Sequence, residues 1–339
     1  MVERSGVVRV RDGAPAQDRD GVTETPDAGG DMADRETSVG PRTVAIGGAS
    51  GMIGSAMGAA LRARGVRVRP LVRDAKPKGE DEIWWNPDES QIDHEALRGV
   101  DAVLNFAGRS VDERWTETVK QEIRQSRVRS TRVLADTIAR LSDGPRTLLV
   151  ASGINYYGDR DDEILDETSP RGHGFLADVT VAWEDAADPA REAGARVINT
   201  RFGAVLAEEG GALARMLPVF RLGAGGTLGD GRQWFSWVAI EDLVRALMWL
   251  LFESAMDGAV NVTSPNPVTN AEFTDTLGRV LHRPTIARVP EFALKLAFGG
   301  LAEEMLIAST RVVPRRLLEA GFEFRYAQLE EALRSILKS

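Results

Sequence analysis

Two adjacent tyrosines follow a serine at the end of an apolar run of the sequence. In the stretch LLVASGINYYGDR, residues 148–160, Ser152 closes the run and Tyr156 and Tyr157 come four and five residues later. The carboxyl end of a parallel strand is where α/β enzymes place ligand contacts. A phenol has a pKa of about 10, so it donates a proton readily at neutral pH but acts as a base only beside a cation. The stretch therefore indicates either proton chemistry or a pocket wall.

A glycine-rich loop forms the second group of candidate residues. Gly48, Gly51 and Gly54 have the spacing GxxGxxG and lie between a predicted strand, Val44–Ile46, and a predicted helix. The first glycine permits a tight turn, the second lets a pyrophosphate approach the backbone, and the third lets the helix pack on the strand. The phosphates would then lie at a helix N-terminus, which favours anions. The loop predicts dinucleotide binding, with further contacts from Ser50, Met52 and Ile53.

The residue that follows the second predicted strand, VRVRPLV, bears on which dinucleotide is bound. An acidic residue there would hold the ribose 2′-hydroxyl of NAD, whereas an arginine accommodates the 2′-phosphate of NADP. The strand is followed by Arg73 and then by Asp74, which is either a turn residue or a ribose ligand. We therefore predict NADP as the cofactor, with NAD as the less favoured alternative.

Two further predicted strands continue the alternation of strands and helices. They are DEIWW (81–85) and DAVLNFAG (101–108), and the second ends in the small residues Ala107 and Gly108, which would let the backbone lie close to a cofactor. A long amphipathic helix then precedes the strand that carries Ser152. The pattern predicts an α/β fold, a Rossmann-like doubly wound parallel sheet with a smaller C-terminal substrate lobe.

The composition excludes several classes of function. The 339-residue chain has a net charge of −9 and a pI near 5.1, which argues against nucleic acid and anionic membranes as partners and leaves a small-molecule substrate. The absence of cysteine excludes disulfides, thiolate catalysis and cysteine-based zinc sites. His94, His173 and His282 are scattered, so no metal site is predicted. The apolar run 243–252 is too short to span a bilayer, and without a signal-peptide pattern the expected location is cytoplasmic.

Three regions are predicted along the chain. Residues 1–41 contain few large apolar side chains and are predicted to be a disordered tail, either an acidic interaction segment or an extension upstream of a start at Met32. Residues 42–285 form the predicted nucleotide-binding domain with its substrate-lobe insertions. Residues 286–339 are predicted to form a small helical C-terminal domain.

Several motifs together carry a family resemblance. GASGMIG, NFAG, SR…ST and SGINYYG resemble the extended short-chain dehydrogenase/reductase superfamily, in its nucleotide-sugar epimerase branch. The segments 210–244, 264–273 and 312–324 resemble one atypical subgroup of NAD(P)-dependent epimerase-like proteins. That subgroup has a small C-terminal domain of unknown function, and some of its members are named for cell-division inhibition.

The resemblance also shows what this chain lacks. Most of the superfamily uses a Tyr-x-x-x-Lys pair, in which the lysine lowers the pKa of the tyrosine and holds the nicotinamide ribose. Alignment of HGFLADVTVAWED through Glu184 places Leu176 at the tyrosine position and Thr180 at the lysine position. The sequence contains no lysine between Lys120 and Lys295. The usual pair is therefore absent.

The resemblance implies catalytic roles for three residues that remain. Ser152 matches the active-site serine, Tyr157 matches the tyrosine of a Tyr-Gly pair that follows it, and Arg127 takes the place of a helix asparagine near the catalytic centre. The alternative for Arg127 is a solvated helix face. The other candidates are substrate contacts, from the strand 195–206, from the glycine-rich loop 222–237 and from the phenol beside Tyr157. They are Arg201, Gln233, Trp237 and Tyr156.

Two kinds of function follow from these residues. The first is an NADP(H)-dependent oxidoreductase or epimerase that acts on a small carbonyl or sugar-like substrate. The second is a non-catalytic protein that senses NADP(H) or serves as an interaction partner in cell division. The second function remains an alternative because the chain lacks the Tyr-x-x-x-Lys pair that most of the superfamily uses in catalysis.

Overall fold

The apolar runs of the sequence form one large sheet in the computed structural model, which describes residues 40–73 and 79–338. Within those residues the sheet has eight strands. They are β1 (Thr43–Gly47), β2 (Arg67–Val72), β3 (Ile83–Asn86), β4 (Gln91–Ile92), β5 (Ala102–Asn105), β6 (Thr147–Gly153), β8 (Arg196–Phe202) and β13 (Gly258–Val262). Their order is β13-β8-β6-β5-β1-β2-β3-β4, and all pairs are parallel except β3 with β4.

Helices connect the parallel strands on both faces of the sheet. The chain moves from β1 outward to β2 and β3, and it returns to β5 on the other side of β1. Right-handed crossovers in these two directions place the connecting helices on opposite faces. The helices of the described residues are α1 (Met52–Ala63), α2 (Glu117–Arg140), α3 (Phe175–Asp185), α4 (Asp188–Glu192), α5 (Gly211–Arg221), α6 (Ile240–Phe252), α7 (Asn270–Leu281), α8 (Glu291–Phe298), α9 (Arg315–Glu319) and α10 (Leu329–Leu337). The predicted Rossmann-like doubly wound sheet is confirmed.

The reversal of strand order opens a crevice at the carboxyl ends of β1 and β5. Gly47 is in register with Leu71 of β2 and with Asn105 of β5, and the Phe106 N–H donates to the Gly47 carbonyl at 2.9 Å. In open α/β sheets, ligands bind at the carboxyl ends of the strands, in the crevice where the strand order reverses. The glycine loop after β1 and the residues that follow β2 and β5 therefore meet at one edge.

Four pairs of short strands lie outside the large sheet. They are β7 (Ile164–Leu165) with β16 (Arg311–Val312), β9 (Ala204–Leu206) with β12 (Trp237–Ala239), β10 (Gly226–Leu228) with β15 (Ala287–Val289), and β11 (Trp234–Phe235) with β14 (Val268–Thr269). The single strand expected over 195–206 is therefore two strands. Gly203 separates them because a Cβ there would lie 2.8 Å from the Ser236 carbonyl oxygen, so the two backbones cross closely. The loop expected over 222–237 contains short strands as well.

The C-terminal residues contribute to the two larger of the three hydrophobic clusters among the described residues. Leu317 and Phe322 join the main core between the sheet and its helices, while Leu329 and Leu333 of α10 join a second core around α5 and α7. A six-residue π-helical turn, Ala302–Ile307, follows α8. Burial of these apolar side chains holds the C-terminal segment on the rest of the fold.

Two expectations fall on residues that the structure does not describe. Most of the predicted disordered tail and Asp74 lie outside the described residues.

No helix within 40–73 and 79–338 is both long enough and apolar enough to cross a membrane.

Candidate active site

A cavity of about 340 Å³ lies in the crevice at the carboxyl ends of β1 and β5. The glycine loop after β1, the end of β6, and side chains of α2 and α3 line it. Met305 from the C-terminal turn lines it too. Because these five separate parts of the chain meet here, this cavity is the candidate active site.

The glycine loop leaves room beside only one of its three glycines. Gly48 has a φ of +74°, and a Cβ there would lie 2.8 Å from the backbone carbonyl of Phe106. A Cβ on Gly54 would lie 2.2 Å from the Gly48 oxygen, whereas the nearest atom to one on Gly51 is that same oxygen at 3.4 Å. Gly51 caps α1 without a side-chain hydrogen bond, and the first turn of α1 has no acidic residue. The loop therefore fits a phosphate group at the N-terminus of α1.

The other predicted cofactor residues lie around this loop at different depths. Met52 and Ile53 line the cavity with the three glycines, whereas Ser50 is exposed and does not line it. Gly108 packs against Arg127, whose Cγ would lie 3.3 Å from an added Cβ, and the Ala107 N–H donates to the Asn105 side chain at 3.2 Å. These two residues position backbone beside the loop and do not line the cavity itself.

Arg73 lies just beyond β2 at the same edge of the sheet as the glycine loop. Its side chain is half-exposed and forms an ion pair with Asp88, with 3.6 Å between Nη1 and Oδ2. An exposed ion pair of this kind contributes little stability. The guanidinium therefore remains available for a ligand phosphate.

Ser152 heads a chain of buried polar groups. Its hydroxyl donates to Glu184 Oε1 at 2.6 Å, and the Glu184 carboxylate accepts from Arg201 Nε at 2.8 Å and Nη2 at 2.7 Å. Because an ionised carboxylate can only accept, the single Ser152 proton is committed to Glu184. The Ser152 hydroxyl can therefore only accept a further hydrogen bond, such as one from a ligand in the cavity that Ser152 lines. Arg201 is itself 4% exposed and contacts Glu184, not the cavity.

The two tyrosines pack behind this chain. The Tyr157 hydroxyl donates to Asn261 Oδ1 at 2.8 Å and accepts from Arg201 Nη1 at 3.0 Å, and the side chain is fully buried. Burial raises its pKa from 10.0 to about 12, although Arg201 and Asn261 act in the opposite direction. The Arg201 guanidinium lies 3.4 Å from the centre of the Tyr156 ring.

Neither tyrosine lines the cavity. A buried hydroxyl with both of its bonds satisfied and a raised pKa is poorly placed to give a proton to a ligand. The geometry therefore argues against the predicted proton donation by Tyr157 and the predicted substrate contact by Tyr156. Both phenols instead hold Arg201 in place.

Arg127 brings a cation to the cavity. It lines the same space as Ser152, donates from Nη1 to the carbonyls of Arg109 at 2.9 Å and Ile123 at 3.0 Å, and lies 5.1 Å from the Trp183 ring centre. Burial lowers its pKa to about 10. Within the described part of the chain no carboxylate forms an ion pair with it. Its charge therefore has no fixed counter-ion, and its place in the cavity wall does not fit the alternative of a solvated helix face.

The two positions that the resemblance assigns to the tyrosine and lysine both face the cavity. Leu176 and Thr180 are among its lining residues, and the Thr180 hydroxyl donates to the Leu176 carbonyl at 2.8 Å within α3. Neither side chain can replace the tyrosine–lysine pair, because leucine has no ionisable group and threonine carries no charge.

The predicted contacts from the glycine-rich loop lie away from the cavity. Gln233 Nε2 donates to the carbonyls of Leu228 and Leu306, both at 3.1 Å. Trp237 is fully buried, and its indole N–H donates to the Asn266 carbonyl at 3.1 Å. Neither lines the cavity, because each is engaged by backbone.

Sequence reasoning missed two functional residues. Glu184 stands in the segment that aligned with the superfamily helix, and an acid on the buried face of a helix was the signal that could have identified it. Met305 lies more than a hundred residues after Phe202, the preceding lining residue in the sequence. Local sequence patterns therefore give no indication that it reaches the cavity.

Comparison with known families places two matches along the chain. Residues 44–263 match the NAD-dependent epimerase/dehydratase family, and residues 289–336 match a domain of unknown function. An epimerase family protein of Mycobacterium bovis is 45% identical over 276 residues, covering 81% of this chain and 91% of that protein. The Arabidopsis thaliana protein named as a chloroplastic SDR39U1 homolog is 41% identical, covering 71% of this chain and 70% of its own.

Solved structures give the same picture. The crystal structure of human epimerase family protein SDR39U1 with NADPH has a TM-score of 0.79 and 34% identity, covering 87% of this chain and 99% of that one. A nucleoside-diphosphate sugar epimerase from Corynebacterium glutamicum has a TM-score of 0.71 and 35% identity, covering 88% of this chain and 58% of that one.

Proposed function

The chain belongs to the NAD-dependent epimerase/dehydratase family, and on that premise we propose that it is an NADP(H)-dependent oxidoreductase or epimerase. Its substrate would be a small molecule with a hydroxyl or carbonyl group, such as a sugar-like compound. The observation that carries the proposal is the Ser152–Glu184 hydrogen bond at the wall of a cavity that also contains the glycine loop.

The residues of the crevice fit a dinucleotide. Gly51 leaves space for the pyrophosphate at the N-terminus of α1, and Arg73 offers its guanidinium to a 2′-phosphate. The human relative was crystallised with NADPH, which supports NADP over NAD. When bound, the nicotinamide supplies or accepts a hydride.

Ser152 and Glu184 can move a proton between the cavity and the protein interior. In the oxidation direction a substrate hydroxyl donates to the Ser152 oxygen, and as its proton passes to that oxygen the Ser152 proton passes to Glu184 over 2.6 Å. In the reduction direction both transfers reverse. Arg201 holds the carboxylate with two hydrogen bonds, so the donor, acceptor and counter-charge stay aligned.

Arg127 supplies the positive charge that the missing lysine would bring. It faces the same cavity as Ser152 and has no fixed counter-ion among the described residues. A cation in a water-poor site stabilises the negative charge that develops on a substrate oxygen during the reaction. Even with its lowered pKa of about 10, the guanidinium remains charged at neutral pH.

Removing the Ser152 hydroxyl tests the proposal. Ser152→Ala should leave NADPH affinity near the wild-type value and lower turnover of a carbonyl substrate by about 10²–10⁴-fold, the usual scale of one acid–base group. Thr180→Val is the matched control, because that hydroxyl lines the same cavity but bonds to its own helix. Equal turnover by Ser152→Ala and wild type would contradict the proposed proton path.

A second function is supported by one observation. Leu176 and Thr180 stand in the cavity at the positions of the usual tyrosine and lysine, and they supply neither a phenol nor a cation. This favours a protein that senses NADP(H) without chemistry. Tight NADPH binding, together with failure of the wild-type protein to oxidise NADPH with any member of a carbonyl panel, would favour sensing over catalysis.

A further inference from the structure

The helix that carries the cavity wall begins without a cap of its own. Helix α3 starts at Phe175 after Gly174, which has no side chain to accept a hydrogen bond from the first turn. The first N–H groups of a helix have no partner within the helix, so an acceptor must come from elsewhere. Helix α3 needs a distant residue.

The acceptor is a glutamate from the C-terminal turn. Glu304 Oε1 accepts from the Phe175 N–H at 2.9 Å, and Oε2 accepts from the Leu176 N–H at 2.7 Å. A carboxylate at a helix N-terminus also interacts favourably with the helix dipole. Gly174 has a φ of +117°, and a Cβ there would lie 3.1 Å from Glu304 Oε2. The glycine therefore makes room for the glutamate.

The helix held by Glu304 builds the proposed reaction site. Leu176 and Thr180 line the cavity one turn apart, and Glu184, one turn further, accepts the Ser152 proton. A shift of α3 by a fraction of an ångström would change the 2.6 Å distance from Ser152 Oγ to Glu184. The cap thus acts on the proton path through the helix.

The turn and the residues just after it are held by hydrogen bonds at two points. The Leu306 carbonyl accepts from Gln233 Nε2 at 3.1 Å, and the Ser309 carbonyl accepts from the Arg160 N–H at 2.9 Å. Met305, next to Glu304, lines the cavity. The C-terminal turn is therefore anchored on the loops that follow Tyr157 and precede β12 while it contacts the cavity.

We propose that the C-terminal turn reaches the active site through Glu304, a positioning residue that fixes α3 and thereby the Ser152–Glu184 pair. This gives a role to a segment whose matching family has no known function. The effect on turnover rests on the proposed function, but the effect on α3 does not.

Glu304→Ala tests the proposal in the full-length protein, with Glu303→Ala as the matched control. Glu303 is on the same turn, but its side chain only pairs with Lys295 at 3.6 Å on the surface. In Glu304→Ala, hydrogen exchange at the Phe175 and Leu176 amides should accelerate by about tenfold, the scale of a lost hydrogen bond. Turnover should fall while KM for NADPH stays unchanged. Glu303→Ala should match the wild type in all three.

The conservative variant separates positioning from general destabilisation. Glu304→Gln keeps one oxygen acceptor, so exchange at the two amides and turnover should lie between those of the alanine variant and the wild type. Unchanged exchange at Phe175 and Leu176 in Glu304→Ala, or the same change in Glu303→Ala, would overturn the proposal. If no carbonyl substrate is turned over by the wild type, the proposed function fails, and the exchange measurement still decides the role of Glu304.

Discussion

The three glycines of the loop after β1 differ in the space that the protein leaves beside them. Gly51→Val should fold, because the nearest protein atom to a Cβ is 3.4 Å away, but its side chain would fill the space for the pyrophosphate. We expect NADPH binding to be lost in a fluorescence titration while the melting temperature of the ligand-free protein changes little. Wild-type affinity would mean that the loop serves packing alone.

Gly54→Ala is the informative counterpart. Its Cβ would lie 2.2 Å from the Gly48 carbonyl oxygen, so the loop itself must shift. This variant should have a clearly lower melting temperature than Gly51→Val, even though it adds a smaller side chain. The comparison separates a ligand space from a packing contact.

Tyr157 contributes to the fold through its hydroxyl. Tyr157→Phe leaves Asn261 Oδ1 without its donor and Arg201 Nη1 without an acceptor, so the free energy of unfolding should fall by about 1–3 kcal/mol. Turnover should fall far less than in Ser152→Ala. Tyr156→Phe keeps its ring against Arg201 and serves as the control for ring packing. A loss of turnover as large as in Ser152→Ala would reinstate Tyr157 as the proton donor.

The same hydroxyl predicts a pH dependence. The folded-state pKa of Tyr157, about 12, lies above the ordinary 10.0, so the native state holds this proton more tightly than the unfolded state. Its contribution to stability is therefore complete below pH 10 and is lost as the pH rises towards 12. Urea unfolding of wild type and Tyr157→Phe over this interval should show the smaller decline in the variant.

At the scale of secondary-structure elements, a side chain of β8 binds the carbonyl groups at the C-terminal end of α6. Arg196 of β8 donates from Nη1 to the carbonyls of Leu250 at 3.0 Å and Ser254 at 2.6 Å, and burial lowers its pKa. Arg196→Met should lower the free energy of unfolding by about 1–3 kcal/mol, because buried carbonyls lose their donors. Arg132→Met, which breaks an exposed pair with Asp136, should cost less than about 0.5 kcal/mol. Equal losses in chemical denaturation would contradict this assignment.

The elements that sequence patterns predicted are those specified by local residues. Apolar runs and the glycine spacing located β1, α1 and β2. Residues within one segment of about thirty positions determine these two strands, the turn between β1 and α1, and the start of the helix. The break at Gly203 could not be predicted, since its cause is the approach of Ser236 more than thirty positions later. The short strands in the loop 222–237 likewise depend on distant partners, since β10 pairs with β15 and β11 pairs with β14.

The candidate site divides in the same way. The cofactor loop and Ser152 follow from motifs that are continuous in sequence. The roles of Tyr157, Arg201 and Glu184 depend on which face each strand or helix turns to the cavity. The burial of Tyr157 argues against its predicted role, and the position of the C-terminal turn brings Met305 into the cavity lining. Which residues are candidates for catalysis therefore depends on tertiary packing.

Ligand binding should stabilise the folded molecule as a whole. The rise in melting temperature with each dinucleotide then reports which cofactor the protein prefers. A ligand that binds only the native state raises stability with the logarithm of its concentration over Kd. NADPH should therefore raise the melting temperature more than NADH at equal concentration, because the Arg73 guanidinium at the end of β2 is available to a 2′-phosphate. Arg73→Asp should reverse the order. Arg67→Ala, at the opposite end of β2, should retain it.

The methionine in the cavity wall makes the site sensitive to oxidants. The chain has no cysteine, so sulfur oxidation falls on its methionines, and Met305 is 39% exposed where it lines the cavity. Conversion to the sulfoxide would place a polar group in that wall. Peroxide should therefore weaken substrate binding reversibly, with activity restored by methionine sulfoxide reductases. Met305→Leu, which keeps an apolar wall, should resist the treatment when steady-state turnover is measured before and after peroxide.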